Sequence, residues 1–423
     1  MHFSVIMSVK KLFKRRNEMS DILDAFKNVT SEENSGEGKT IRIGIIGCGG
    51  IAKSHVRAYL NAPGAEIVAG CDLIPGKAEK FFKEFGIEGA KTHYKNHEEM
   101  LADKSLKLDA VSVCTYNRQH VCCSIAALNA GVSVLLEKPL CVTMDEAWEL
   151  YEAKCNSSAV LSIGFQPRFD ANMQDVKAVV QSGVLGDIYY VQTGGGRRHG
   201  VPFRDDDIEN TFVKDETAGI GAIGDIGCYS LDMVMNALGH PKPLTVTGYK
   251  SNLLATNPEY YYFNKKNEKN TEEEKARLAD SFTVDDFGAA FIRLEGGIII
   301  DFRIAWAMHL DTPGDTIIYG TKGSLRIPST NCWNGSIGGP LKVYSEVAGK
   351  QIETELPMAP APKKGEPTLW DKKIRSFLAA CRGEANVPVP IEEILYNQAM
   401  LSGIVTSSEL GREIELDFSK MGK

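Results

Sequence analysis

The sequence lacks the long apolar run that a membrane-spanning helix requires. No stretch of its 423 residues approaches the roughly 18 to 20 consecutive apolar residues that cross a bilayer. The apolar start, residues 1–7, is short and is followed by several lysines and arginines, which reverses the order found in an export signal. We therefore expect no membrane partner, no export and a cytoplasmic location.

Paired cysteine motifs and an excess of positive charge are also missing. The ten cysteines include no Cys-x-x-Cys pair, and several lie in apolar runs, where a free thiol packs like a small hydrophobe. The formal net charge is −7, which argues against a nucleic-acid partner. We expect a reduced protein with no bound metal and no nucleic-acid partner.

The length and patterning predict two domains behind an extended or disordered lead-in at residues 1–39. Over residues 40–165, apolar strands alternate with helices, which is typical of an α/β fold with a doubly wound parallel sheet. Over residues 166–423 the strands lie closer together, and Leu294-Glu-Gly-Gly297 predicts a hairpin turn. This half is expected to be an α+β domain with a large, mainly antiparallel open sheet. Residues 264–280 read as a polar insertion.

A glycine-rich turn follows the first predicted strand and opens a helix. In Gly47-Cys-Gly-Gly-Ile-Ala52, glycines permit a tight turn and close approach of the backbone to a pyrophosphate, which the helix N-terminus attracts. The candidate cofactor-binding residues in this turn are Gly47, Gly49, Gly50, Ile51 and Ala52. Asp72 ends the second strand, where a carboxylate binds ribose hydroxyls and repels a 2′-phosphate, so NAD is favoured over NADP. The alternative for Asp72 is a helix cap.

A lysine follows the apolar strand predicted at residues 132–136, at the edge of the sheet where ligands bind. A hydride leaves a carbinol carbon only if the hydroxyl proton also leaves, and Lys138 is a candidate to carry that proton. Burial would lower its pKa from ~10.4 toward neutrality. The alternative is a merely solvated lysine.

Seven features together resemble the glucose–fructose oxidoreductase/inositol dehydrogenase/rhizopine-catabolism (Gfo/Idh/MocA) family, from about Ile41 to the end of the chain. They are the glycine turn, Asp72, Thr115-x-Asn117-x-x-His120, Leu136-Glu-Lys-Pro139, Arg168, the Asp225 segment and Val284-Asp-Asp-Phe287. The resemblance implies an open sheet that supports a homodimer or homotetramer. It also implies cofactor contacts from Thr115, Asn117, His120, Glu137, Lys138 and Arg168.

Tyr229 stands four residues after Asp225, where inositol-dehydrogenase-like members of the family carry histidine. On a helix these two side chains would share one face. The resemblance to the tyrosine-bearing branches implies that Tyr229 transfers the substrate proton, with Asp225 and Lys138 as the other catalytic residues. The pKa of a tyrosine, ~10, would need help from Lys138 and from the positive ring of the cofactor. The alternative is a packing tyrosine and a capping aspartate.

Several side chains could bind a sugar. The candidates are Lys138, Arg168, Arg197, His199, Asp225 and Tyr229. Gly194–Gly196 before Arg197 suggests a backbone pressed against a ligand, although a solvated turn is the alternative. Trp306, Trp333 and Trp370 are candidates for sugar stacking, with core packing expected for at least two of them.

The leading functional hypothesis is NAD-dependent, reversible oxidation of a hydroxyl on a sugar, sugar derivative or cyclitol. The second is glycoside cleavage through transient C3 oxidation with retained NAD. The third is a non-catalytic sensor of a dinucleotide or sugar.

Overall fold

The computed structural model describes residues 39–202, 210–263, 270–309, 314–330 and 335–422. The predicted lead-in up to residue 38 and Trp333 lie outside the described residues. From Thr40 onward the chain forms one compact unit built on two sheets. None of the helices described in these ranges is long and apolar enough to cross a bilayer.

The first sheet is parallel and has six strands in the order β3-β2-β1-β4-β5-β6. Its strands are β1 (Ile41–Ile46), β2 (Ala65–Cys71), β3 (Lys91–Tyr94), β4 (Ala110–Val113), β5 (Ser133–Leu136) and β6 (Leu161–Ile163). The helices between them are α1 (Gly50–Leu60), α2 (Lys77–Glu84), α3 (His97–Ala102), α4 (His120–Asn129) and α5 (Met144–Cys155). The strand order reverses between β1 and β4, which places a crevice at the carboxyl ends of the central strands.

The second sheet has nine strands in the order β14-β13-β12-β11-β7-β10-β9-β8-β15. Its strands are β7 (Ile188–Gly196), β8 (Pro243–Ser251), β9 (Phe287–Leu294), β10 (Ile299–Ala305), β11 (Thr316–Gly320), β12 (Gly323–Ile327), β13 (Leu341–Val347), β14 (Lys350–Leu356) and β15 (Ile414–Glu415). The pair β7–β10 is parallel and the other neighbouring pairs are antiparallel. The predicted α/β fold with a mainly antiparallel second sheet is confirmed.

Among the described residues of this second half, the α-helices are α6 (Ala171–Gln181), α7 (Cys228–Leu238), α8 (Glu272–Ser281), α9 (Leu369–Cys381) and α10 (Ile391–Leu410). Helix α9 packs on the first sheet, because Phe377 is buried in one apolar cluster with Ile43 and Val56. Of the predicted polar insertion at residues 264–280, residues 264–269 lie outside the described residues and the later part forms most of α8. There, Thr271 and Glu274 form a capping box that starts α8.

Candidate active site

The glycine turn has the geometry of an anion cradle. Gly47 has a φ of 86°, and a Cβ there would lie 2.8 Å from the Cys114 carbonyl oxygen, so a side chain cannot be accommodated. Helix α1 begins at Gly50, and within the described chain no side chain caps its start and no acidic residue lies in its first turn. A Cβ on Gly49 would meet only open space. The exposed amide groups and the positive end of the helix dipole therefore fit the pyrophosphate of a dinucleotide.

Asp72 lies against this turn. Its carboxylate accepts hydrogen bonds from the backbone N–H groups of Cys48 (2.9 Å) and Ile74 (3.0 Å), and the Lys77 ammonium lies 3.1 Å away. The predicted ribose-binding carboxylate thus also holds the glycine turn in place. Lys77 offsets part of the negative charge that Asp72 would present to a 2′-phosphate.

The segment after β4 contributes one orphaned hydroxyl. Thr115 Oγ1 is buried and has no hydrogen-bond partner among the described residues, which fits a ligand contact. Asn117 Nδ2 instead donates to the Ala218 carbonyl oxygen at 2.9 Å. His120 Nδ1 lies 2.7 Å from the Pro139 carbonyl oxygen, and burial lowers the pKa of this histidine. Asn117 and His120 therefore hold the backbone around the site.

The three predicted catalytic residues come together. Lys138 Nζ donates to Asp225 Oδ1 and to the Asp225 carbonyl oxygen, both at 2.8 Å, and lies 4.9 Å from the centre of the Tyr229 ring. Trp306 Nε1 donates to Asp225 Oδ2 at 3.0 Å, and Gln166 Nε2 donates to the Tyr229 hydroxyl at 2.9 Å. A partly exposed charged pair and a buried phenol therefore share one cluster.

The charge states in this cluster correct the prediction that burial lowers the pKa of Lys138 toward neutrality. Burial by itself would lower the pKa of Lys138, but the facing Asp225 carboxylate outweighs burial and holds this pKa above its usual value. Burial would raise the pKa of Asp225, yet the Lys138 ammonium keeps it low. Burial raises the pKa of Tyr229, and Lys138 only partly opposes this shift. At neutral pH the cluster therefore holds an ammonium, a carboxylate and a neutral phenol.

A π-helical turn over Ile223–Gly227 carries Asp225 and leads into α7, where Tyr229 is the second residue. This corrects the prediction of a regular helix through both residues. Asp285 accepts hydrogen bonds from the backbone N–H groups of Gly221 (2.7 Å) and Ile223 (2.8 Å), which fixes the start of the turn. Such turns are frequent at functional sites.

Two residues predicted to contact the cofactor lie in buried ionic networks. Lys373 Nζ donates to Glu137 Oε1 at 2.6 Å, and His55 Nε2 lies 2.7 Å from the same oxygen. Arg168 is 8% exposed and pairs with Asp232 through Nε and Nη2 and with Glu393 through Nη1. All three guanidinium nitrogens of Arg168 are thus engaged inside the protein. A buried guanidinium requires such partners, and the predicted contact of Arg168 with cofactor or substrate stays a prediction.

The glycine run before Arg197 is pressed against protein rather than a ligand, since a Cβ on Gly194 would lie 1.9 Å from the Arg303 carbonyl oxygen of β10. Arg197 remains near the site, because its charge helps to lower the pKa of Asp225. His199 stacks obliquely on Tyr260, with ring centres 5.0 Å apart.

Of the three tryptophans predicted as sugar-stacking candidates, the described Trp306 and Trp370 make contacts within the protein. Trp306 is fully buried beside Asp225, so it positions that carboxylate and is unavailable for sugar stacking. Trp370 lies under the Lys373 ammonium, 4.1 Å from its ring centre.

Gln166 and Lys373 are site components that sequence reasoning missed. Gln166 follows β6 as Lys138 follows β5, so the rule that ligands bind at carboxyl ends of parallel strands could have found it. Lys373 is 236 residues from Glu137, and no feature of the local sequence indicates that the two side chains would meet.

Comparison with known proteins identifies the family and the fold. Residues 41–165 match the GFO/IDH/MocA oxidoreductase family, described as having an NAD-binding Rossmann fold, and residues 173–326 match the GFO/IDH/MocA C-terminal domain. The chain is 33% identical to D-glucoside 3-dehydrogenase of Escherichia coli over 217 residues, 51% of this chain and 59% of that protein. It is 33% identical to inositol 2-dehydrogenase of Salmonella typhimurium over 149 residues, 35% of this chain and 43% of that protein.

The chain thus aligns with only about half the length of these relatives. Among solved structures, levoglucosan dehydrogenase in complex with NADH and L-sorbose superposes with a TM-score of 0.71 at 19% identity, covering 90% of this chain and 99% of that one. This likeness shows a shared fold. Because both family domains match in sequence order and together span about two thirds of the chain, the protein belongs to the Gfo/Idh/MocA family of oxidoreductases with an NAD-binding Rossmann fold.

Proposed function

We propose that this protein is an NAD-dependent dehydrogenase that oxidises a CH–OH group of a sugar, sugar derivative or cyclitol. The observation that carries the proposal is the meeting of Lys138, Asp225 and Tyr229 at the carboxyl end of β5. The same edge of the sheet holds the glycine turn after β1. The substrate class is supported by relatives named for glucoside and inositol oxidation.

The glycine turn at residues 47–52 would hold NAD, which would supply the acceptor for the hydride of the carbinol carbon. The charged Lys138 cannot remove a proton, so its role is to donate a hydrogen bond to the substrate oxygen and stabilise the developing alkoxide. Asp225 and Trp306 hold the ammonium in position. The neutral Tyr229 hydroxyl protonates the carbonyl oxygen in the reductive direction. In oxidation the tyrosinate takes the hydroxyl proton, so oxidation is favoured at higher pH.

We further propose that the open face of the second sheet forms a homodimer or homotetramer interface in the cytoplasm. Tyr249 and Phe291 are 53% and 55% exposed and alternate with the buried Val246 and Ile292 of the same strands. An apolar outer face of this kind is typical of an interface. Light scattering of the purified protein tests the oligomeric state, and a monomer would contradict it.

The activity is tested by following NADH formation with a panel of glucosides, sugar phosphates and inositols. At least one should be oxidised, and Lys138→Met should lower turnover by at least ~10² while NAD still binds. Lys342→Met is the matched control, because it removes an exposed lysine–glutamate pair on the second sheet. Retained turnover in Lys138→Met would contradict the proposed role.

Product masses separate the remaining hypotheses. A ketone of unchanged skeleton indicates simple oxidation, whereas a released aglycone without net NADH indicates redox-assisted cleavage. Tight sugar and NAD binding with no product would favour the sensor.

A further inference from the structure

Three potential metal ligands meet between the starts of α3 and α4. His97 is the first residue of α3, and Cys122 and Cys123 are the third and fourth residues of α4. We propose that His97, Cys122 and Cys123 form a site for a zinc-like divalent cation. This proposal revises the expectation of no bound metal and is independent of the proposed dehydrogenase activity.

The distances suit tetrahedral coordination. Across a tetrahedral zinc ion, sulfur and imidazole nitrogen are separated by about 3.6 Å and two sulfurs by about 3.8 Å, given the usual bond lengths. Cys123 Sγ lies 3.5 Å from His97 Nδ1, and the three ligand atoms all lie within 4.8 Å of one another. Small side-chain rotations would therefore bring the three atoms into the first coordination shell of one ion.

The surroundings support an open, three-ligand site. Cys123 is buried, His97 is half-buried and Cys122 is exposed, so an ion can enter from solvent at the Cys122 side. A water molecule can supply the fourth ligand.

Two adjacent cysteines could instead form a disulfide, but the geometry of the backbone disfavours that bond. Consecutive Cα atoms joined by a trans peptide are about 3.8 Å apart, closer than the 4.4 Å or so at which the usual disulfide range begins. Both residues are also held in the helical backbone of α4. A shared cation satisfies both sulfurs without unwinding this turn.

The test uses the full chain, reduced, stripped with a chelator and titrated with Co²⁺. Wild type should take up one ion per chain and show thiolate-to-cobalt charge transfer, which Zn²⁺ then displaces. Cys122→Ser and His97→Asn should each weaken binding by at least about tenfold. Circular dichroism and melting curves of the metal-free variants check that both remain folded.

Cys155→Ser is the matched control, because Cys155 is also an exposed cysteine on a helix. It should bind Co²⁺ like wild type. The proposal fails if wild type shows no thiolate signal, or if Cys155→Ser loses the signal as Cys122→Ser does. It also fails if the metal-free protein under air loses two thiols and two mass units at Cys122 and Cys123, since that result shows a disulfide.

Discussion

Replacement of Tyr229 by phenylalanine distinguishes the catalytic role of its hydroxyl group from the packing role of its ring. The ring is 7% exposed, meets Phe165 edge to face at 6.0 Å, and lies beneath Lys138. Phenylalanine keeps these contacts and loses only the hydrogen bond from Gln166. We therefore expect the free energy of unfolding to fall by ~0.5–1.5 kcal/mol. Because the Gln166 Nε2 donor loses its acceptor, we expect the cost to lie toward the upper end of this range.

The effect on catalysis should be larger. If the hydroxyl transfers the substrate proton, Tyr229→Phe should lower kcat by ~10² or more, which corresponds to about 2.7 kcal/mol of transition-state free energy. Residual oxidation should rise with pH as hydroxide replaces the lost base. The assay is single-turnover NADH formation, with calorimetry for NAD affinity and thermal melting for stability.

Tyr261→Phe is the matched control, because Tyr261 is fully buried and its hydroxyl donates to the Ala255 carbonyl oxygen at 2.6 Å. It should lose similar stability but keep its turnover. A much lower melting temperature of Tyr229→Phe with unchanged turnover per folded molecule would contradict a role in proton transfer. Tyr229 would then be a packing residue, and the search for the proton carrier would move to His199.

Three further predictions concern the cofactor and the buried charges. NAD should bind at least about tenfold more tightly than NADP in calorimetry because of Asp72, and equal affinities would contradict this. Lys373→Met should cost roughly 3–5 kcal/mol in denaturant unfolding, because Glu137 then stays buried without its ammonium, whereas exposed Lys372→Met should cost little.

The third is a pH dependence. Burial would raise the pKa of Glu393, but His240 and Arg168 lower it from 4.5 to about 2, so its stabilisation is present above 4.5 and lost as the pH falls toward 2. The difference in the free energy of unfolding between wild type and Glu393→Gln should become smaller as the pH is lowered from about 6 to about 3. A difference that stays constant would exclude this linkage.

The helices and strands that were predicted from the sequence are those in which buried apolar residues recur at the regular spacing of a helix or a strand. The sequence predicts a strand at residues 41–46 and helices at about 144–155 and 391–410, and β1, α5 and α10 have these bounds. The patterning predicts no strand at β3, β13, β14 or β15. Strands β3, β14 and β15 lie at sheet edges, β13 lies beside β14, and β14 exposes nearly all of its residues. An edge strand needs little apolar sequence, so its pairing is decided by the neighbouring strand.

The sequence by itself determined the glycine turn, Asp72 and Lys138, because each is tied to the end of a strand that local patterning defines. Tertiary structure alone joined Lys138 to Asp225 across 87 residues, Trp306 to Asp225 across 81, and Lys373 to Glu137 across 236. It also decided the sign of the Lys138 pKa shift. Burial and ion pairing act in opposite directions, and only the 2.8 Å separation from Asp225 shows that pairing prevails.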